Sequence, residues 1–265
     1  MNYPELFSSS FPIIGCVHLD ALPGSPAYGG KMNSIIDKAI SDADKLIEGG
    51  CDGLIVENFG DAPFYPDRVP SITVSAMTVL ASQIAQRAAL PIGINVLRND
   101  AQAAISIAAA CKLSFVRINI HMHAMLTDQG IVQGKSFETL RLRKSLGSSA
   151  LIFADINVKH ASPLAEMDIE QCAKDLIYRG GADALIVSGS GTGSTASMEE
   201  LKAVKAISSV PVLLGSGVNE DNLINYMPIA DGAIIGTAFK KDGIVTNPVD
   251  QSKVNQFMNQ LHHSD

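Results

Sequence analysis

The chain has no tryptophan, and aromatic residues make up only 5% of its 265 positions. A core must therefore be built from Ile, Val, Leu and Ala, which suits parallel strands covered by helices. Cysteine is scarce as well: Cys16, Cys51, Cys111 and Cys172 form no C-x-x-C pair. Each lies in or beside an apolar segment, so free buried thiols in a reducing cytoplasm are expected, not a disulfide or a thiolate metal centre. No apolar run approaches the ~18 residues of a membrane-spanning helix. The opening residues, MNYPELFSSSFPIIG, lack the basic start and apolar core of a secretory signal. Positive charge is in deficit, with 20 Lys and Arg against 27 Asp and Glu and a net charge of −7. That balance argues against a general nucleic-acid surface but leaves room for a local basic pocket holding a small anion. Low-complexity tracts and linkers are also missing. What is abundant is apolar residue, at 46%, enough for a large core.

Eight short apolar runs recur, at 13–17, 54–56, 91–96, 115–120, 151–156, 184–187, 212–214 and 233–235. Each has the length of a buried strand. Helical patterns separate them. Ile36, Ile40, Ala43 and Ile47 share one helix face, and Gly49-Gly50 stop it. Val74, Met77, Ala81, Ile84 and Ala88 mark another, followed by the alanine-rich 101–110 and by 137–146. Asp168 reads as an N-cap with Gln171 in a capping-box variant, Gly180 as that helix's end, and Ser197 with Glu200 as the next cap. Residues 249–261 supply a closing helix, and TDQGIVQGKS at 127–136 reads as a loop. Strict strand–helix alternation means a parallel sheet. Eight units in this length point to a single (β/α)8 TIM barrel over residues 1–265, with a doubly wound open sheet as the alternative.

Polar residues fall where such a barrel places its chemistry. On the fourth run Arg117, Asn119 and His121 share one parity, opposite Val116, Ile118 and Ile120. On the fifth, Asp155, Asn157 and Lys159 do the same. Alternate side chains face the barrel interior, and buried polar groups are costly unless paired or wet. The C-terminal mouth is therefore where His18, Glu57, Asn95, His121, Asp155 and Ser188 are expected. The last two runs each end in glycine: Gly215-Ser216-Gly217 and Gly236-Thr237, with Ser188-Gly189 on the strand before. Side by side, such turns make a cradle of backbone amides for a phosphate. Glycine that merely turns the chain is the plainer reading.

Structural roles compete at each site. His18 could be a satisfied core histidine, Glu57 could pair with Arg68 or Arg98, and Lys159 could be a solvated loop residue. Asp155, a carboxylate among Ile152, Phe153, Ala154 and Ile156, is best explained by a site. GIVQGKS at 130–136 mimics a phosphate-binding P-loop but has three residues between its glycines where that loop needs four. His121-x-His123 could ligate zinc, although metal-dependent barrel hydrolases of the amidohydrolase type carry their H-x-H pair on the first strand.

The stretches GCVHLDALPGSPAY, DGLIVENFGDAPFYP, PIGINVLRND, FADINVKHASPL and the GSGV and GTAFK turns resemble the BtpA family, including its SgcQ-like members, in the family's order and over nearly the whole chain. The resemblance implies a barrel related to ribulose-phosphate-binding barrels. It also implies two kinds of role: SgcQ-like members are associated with sugar-uptake genes, and the family label refers to photosystem I biogenesis.

The leading expectation is thus an enzyme acting on a phosphorylated sugar or similar small phosphate ester, by isomerisation, epimerisation or aldol-type cleavage. Asp155 would be its acid or base, with His18 or His121 as partner and Glu57 beside them. Asn95, Asn119, Lys159 and Ser188 would hold substrate, and Gly189, Gly215, Ser216, Gly217, Gly236 and Thr237 its phosphate. Schiff-base chemistry ranks low without a clearly desolvated lysine on a strand. The alternatives are a non-enzymatic assembly factor and a metal-dependent hydrolase. No cofactor or metal ligand is assigned, though a divalent metal stays open. The expected partner is a small phosphorylated ligand in the cytoplasm, with homo-oligomerisation open.

Overall fold

The computed structural model describes residues 2–189, 191 and 194–262. Ser190 and the side chain of Asn157 lie outside it. Eight parallel strands close into a barrel: β1 (Ile13–His18), β2 (Gly53–Glu57), β3 (Ile92–Asn95), β4 (Phe115–Ile118), β7 (Leu151–Asn157), β9 (Ala184–Val187), β10 (Val212–Leu214) and β11 (Ala233–Ile235). β11 pairs with β1 to complete the ring. Helices α2 (Met32–Glu48), α3 (Ser71–Arg87), α4 (Ala101–Cys111), α5 (Ser136–Ser145), α6 (Ile169–Lys174), α7 (Met198–Ile207), α8 (Leu223–Tyr226) and α9 (Gln251–His262) cover the outside. The closed barrel and its alternating helices are those expected from the sequence. Among the described residues no helix is long and apolar enough to cross a membrane.

Two segments differ from expectation. The stretch read as a loop after the fourth strand forms an antiparallel hairpin, β5 (Ala124–Thr127) and β6 (Gly130–Gln133), to which β8 (Ala161–Pro163) adds. Met125 and Val132 pack with Ile120 and Val158 in a small cluster of their own, which is what holds so short a sheet. The capping box at Asp168 is incomplete. Asp168 accepts from the Glu170 amide, while Gln171 turns to Asp175. At α7, Ser197 caps as expected by accepting from the Glu200 amide.

The barrel interior is stratified. Its lower half is apolar, with Ile14, Ile55, Phe115, Phe153, Ile186, Leu213 and Ile234 in one cluster. Phe115 and Phe153 stack with ring centroids 4.5 Å apart. Gly93 makes this packing possible, since a Cβ there would lie 2.1 Å from the Phe115 ring. The short N-terminal helix α1 (Tyr3–Leu6) plugs this end, where Tyr3 meets Phe153 and Phe7 meets Phe115. With the bottom sealed by apolar groups, polar side chains are left to the other end.

Candidate active site at the open end of the barrel

Strand register lines up the first polar row. His18 on β1 pairs with Glu57 on β2, and Glu57 with Asn95 on β3. Below them Arg117 rises from β4 and is buried. Its Nε and Nη2 donate to the two oxygens of Asp155 at 3.2 Å each, and its Nη1 to Glu57 at 3.4 Å. Asn119 donates to Asp155 at 2.6 Å, and Asn95 donates to the Asn119 amide oxygen at 3.2 Å and to the Arg117 carbonyl at 2.7 Å. Burial works against the Arg117 charge, yet Asp155 and Glu57 more than offset it and push its pKa up. Glu57 therefore pairs with neither Arg68 nor Arg98. Its partner is Arg117, which β4 places inside the barrel beside it.

Above this network opens a cavity of about 770 Å³. His18, Glu57, Asn95, Arg117, Asn119 and Lys159 reach it, with Cys16 at its base and Phe59 on the rim. The turns at 215–217 and 236–238 form one wall. His18 stacks on Phe59 with centroids 4.6 Å apart. Its ring approaches Glu57 at 3.8 Å, but this is not an ion pair. Burial, then the charges of Lys240, Lys159 and Arg117, hold His18 down at about 3, so the ring is neutral. Burial raises the pKa of Glu57 against the pull of Arg117 and Lys159. The Cys16 thiol is pushed up to about 12, by burial and then by Glu57, and stays protonated. His18 Nδ1 and Asn95 Oδ1 are buried with no partner among the described residues. Buried polar atoms are nearly always hydrogen-bonded, so these two are suited to a ligand's groups.

Several candidate residues sit elsewhere. His121 does not reach the mouth. β4 ends at Ile118 and its inward parity carries only one residue further, to Asn119; the His121 ring instead bonds to the Gly180 carbonyl at 2.8 Å. It lines a separate small cleft with Asp67 and Thr139. His123 pairs with Asp175 at 3.3 Å, so the H-x-H pair does not converge with His18. Asp155 is inside the barrel but beneath the floor, its side chain 0% exposed and both oxygens engaged. A group so enclosed cannot touch substrate, and its part is to hold Arg117. Ser188 Oγ is buried behind Gly215, within 2.3 Å of where a Cβ there would stand. The Ser216 hydroxyl is occupied too. It accepts from the Gly189 amide at 3.0 Å and donates to the Ser194 carbonyl at 3.1 Å, tying neighbouring turns together. Gly189 thus braces the cradle and does not line the cavity.

The glycines of the cradle are sterically required. Gly217 has φ 72°, and a Cβ on it would lie 2.3 Å from the Ser194 carbonyl oxygen. A Cβ on Gly236 would lie 2.8 Å from the His18 ring. Both turns line the cavity, and at these two positions only glycine fits. For a metal, the group that could offer ligands among the described residues is Cys16, His18 and Glu57, whose ligand atoms lie within 4.8 Å of one another. Arg117 already occupies one Glu57 oxygen, and its positive charge opposes a cation there.

Residues 9–263 match the model of the BtpA family. A protein of Methanocaldococcus jannaschii is 45% identical, covering 94% of each chain. The photosystem I biogenesis protein BtpA of Synechocystis is 41% identical over 97% of this chain and 90% of its own. Among solved structures, thiamine phosphate pyrophosphorylase from Pyrococcus furiosus superposes with a TM-score of 0.60 at 10% identity, covering 96% of this chain and 97% of that one. N-(5'-phosphoribosyl)anthranilate isomerase from Pyrococcus furiosus gives 0.59 at 12%, covering 96% and 99%. At such identities the likeness is one of fold.

Proposed function

The chain belongs to the BtpA family, and from that premise and the mouth of the barrel we propose that it is an enzyme acting on a small phosphorylated molecule, of the isomerase, epimerase or lyase type. One observation carries this reading: a single cavity joins a floor of buried, paired charge to a wall of two glycine turns. The turns suit a phosphate, which backbone amides bind without a matching side-chain charge. The floor suits the reacting end. Glu57, with its raised pKa, can act as acid or base, and neutral His18 can pass or accept a hydrogen bond beside it. Arg117 would stabilise negative charge that develops on a substrate oxygen. Two fold neighbours, a thiamine phosphate pyrophosphorylase and an N-(5'-phosphoribosyl)anthranilate isomerase, carry phosphorylated molecules in their names and support the same class.

The name of the Synechocystis relative favours a second reading, a factor in assembly of a membrane complex. That role would use the outer surface and would leave the buried charges at the mouth without a task.

Thermal unfolding with inorganic phosphate, ribose 5-phosphate and unphosphorylated ribose tests the first reading. A ligand at 100 times its Kd adds about 2.7 kcal/mol of stability. The two phosphates should raise Tm and ribose should not. Thr237 lines the cavity immediately after Gly236, so Thr237→Glu should abolish the effect by placing a carboxylate where the phosphate sits. Equal responses in the two proteins would remove the cradle from the account. Gly215→Val is the wrong probe, because its Cβ would strike Ser188 Oγ at 2.3 Å and Ile186 at 2.5 Å whether or not phosphate binds.

A further inference from the structure

The cavity holds one amine whose surroundings are unlike those of a surface lysine. Lys159 follows β7 by two residues and is half-buried at the mouth. Its Nζ donates to the Gly215 carbonyl at 3.2 Å, against the first glycine turn. The two carboxylates whose charge reaches it, Asp155 and Glu57, are held by Arg117 at 3.2 and 3.4 Å. Among the described residues no carboxylate lies within ion-pair distance of Lys159. Lys240, a buried lysine nearby, contrasts with it and is paired to Asp42 at 2.8 Å. Burial first, then Arg117, lowers the Lys159 pKa, against the opposite pull of Glu57 and Asp155. An ammonium so placed, with a carbonyl but no carboxylate beside it, gives up its proton more readily than a surface lysine, and the amine formed is a nucleophile.

We propose that Lys159 forms a Schiff base with the carbonyl carbon of a short phosphorylated ketone or aldehyde, a step that rests on the phosphate reading of this same mouth. The Nζ lone pair attacks the carbonyl carbon and a C–N bond forms. The carbinolamine then loses the former carbonyl oxygen as water, which carries away one proton from the amine and one from the Glu57 carboxyl. A protonated imine and a Glu57 carboxylate remain. The imine can accept the electron pair of an adjacent C–H or C–C bond, and hydrolysis returns the free amine. The substrate is short because Nζ rests on the carbonyl of Gly215, the residue that opens the phosphate turn. The reacting carbon therefore lies within a few atoms of the phosphorus.

Dihydroxyacetone phosphate is the probe, followed by borohydride reduction and peptide mapping of the wild-type protein. One adduct per chain is expected, on Lys159, at least about 10-fold above any other lysine and suppressed by excess inorganic phosphate. Lys159→Met removes the amine at similar length, so it should lose the adduct while dihydroxyacetone phosphate still raises its Tm. Lys253 also lines the cavity, and labelling there instead would overturn the assignment. If the probe stabilises the wild-type protein yet reduction leaves Lys159 unmodified, the Schiff base falls and the phosphate site stands. If there is neither stabilisation nor adduct, both fall.

Discussion

Asp155→Asn removes one negative charge from the network beneath the cavity and changes almost nothing in shape. In the wild type, Asp155 takes two bonds from Arg117 at 3.2 Å and one from Asn119 at 2.6 Å, with its side chain 0% exposed and that of Arg117 5% exposed. At 3.2 Å and an effective dielectric near 20, two unit charges attract by about 5 kcal/mol. Removing one partner of a buried pair costs about 3–5 kcal/mol, because the other charge stays buried. Glu57, at 3.4 Å from Arg117, can take up part of the load, so the lower end of that range is expected. This is a large share of a total stability of about 5–15 kcal/mol. Urea unfolding at pH 7 should show it as a lower midpoint at unchanged slope. Adding Arg117→Met and Glu57→Gln to Asp155→Asn should recover part of the loss, since replacing every member of a buried charge group by groups of similar shape is often neutral, whereas Arg117→Met without Glu57→Gln would strand Glu57. A cost below about 1 kcal/mol, the worth of an exposed pair, would refute the reasoning, as would a triple variant worse than the sum of the singles.

Other outcomes follow from the same geometry. Lys240→Met should lower stability by about 3–5 kcal/mol by stranding the buried Asp42, while the Tm gained from inorganic phosphate stays that of wild type, because Lys240 does not line the cavity. Gly93→Ala should cost about 1–3 kcal/mol through overpacking against Phe115, and Phe115→Leu in the same chain should relieve some of it in urea unfolding. His18 titrates near 3 when folded against 6.5 unfolded. Between those values the unfolded chain holds the extra proton, so stability is lost as pH falls, by up to about 1.4 kcal/mol per pH unit. His18→Gln should flatten that slope, and an unchanged slope would mean the ring is protonated in the fold. Glu57, its folded pKa raised, works in the other direction and loses stability as pH rises above its unfolded value.

The eight barrel strands could be read from the sequence because each is a continuous apolar run between helical patterns. Burial on both faces leaves such a strand few other places to go. The hairpin at 124–133 could not be read this way. Its strands are four residues each, and Leu126 and Ile131 face solvent, so their alternation is too short to separate from a loop. At the site, parity placed Arg117 and Asn119 inside the barrel, and strand ends placed His18, Glu57 and Asn95 at its mouth. Parity failed at His121, three residues past the end of β4, where the backbone no longer follows the strand. It also left the role of Arg117 unspecified. Which carboxylates it meets depends on β2 and β7 approaching β4 around the ring, a contact between segments 60 and 38 residues away in sequence. The environment of Lys159 was hidden for a similar reason, since its desolvation comes from packing against Arg117 and the turn at Gly215.

Native mass spectrometry of the freshly purified protein, with the dissociated ligand identified by fragmentation, tests the central claim most directly. The mouth as described should retain a small phosphate-bearing molecule, and the Thr237→Glu protein should emerge without it. A wild-type protein that carries no such molecule, and that the phosphates tested above fail to stabilise, would contradict the account.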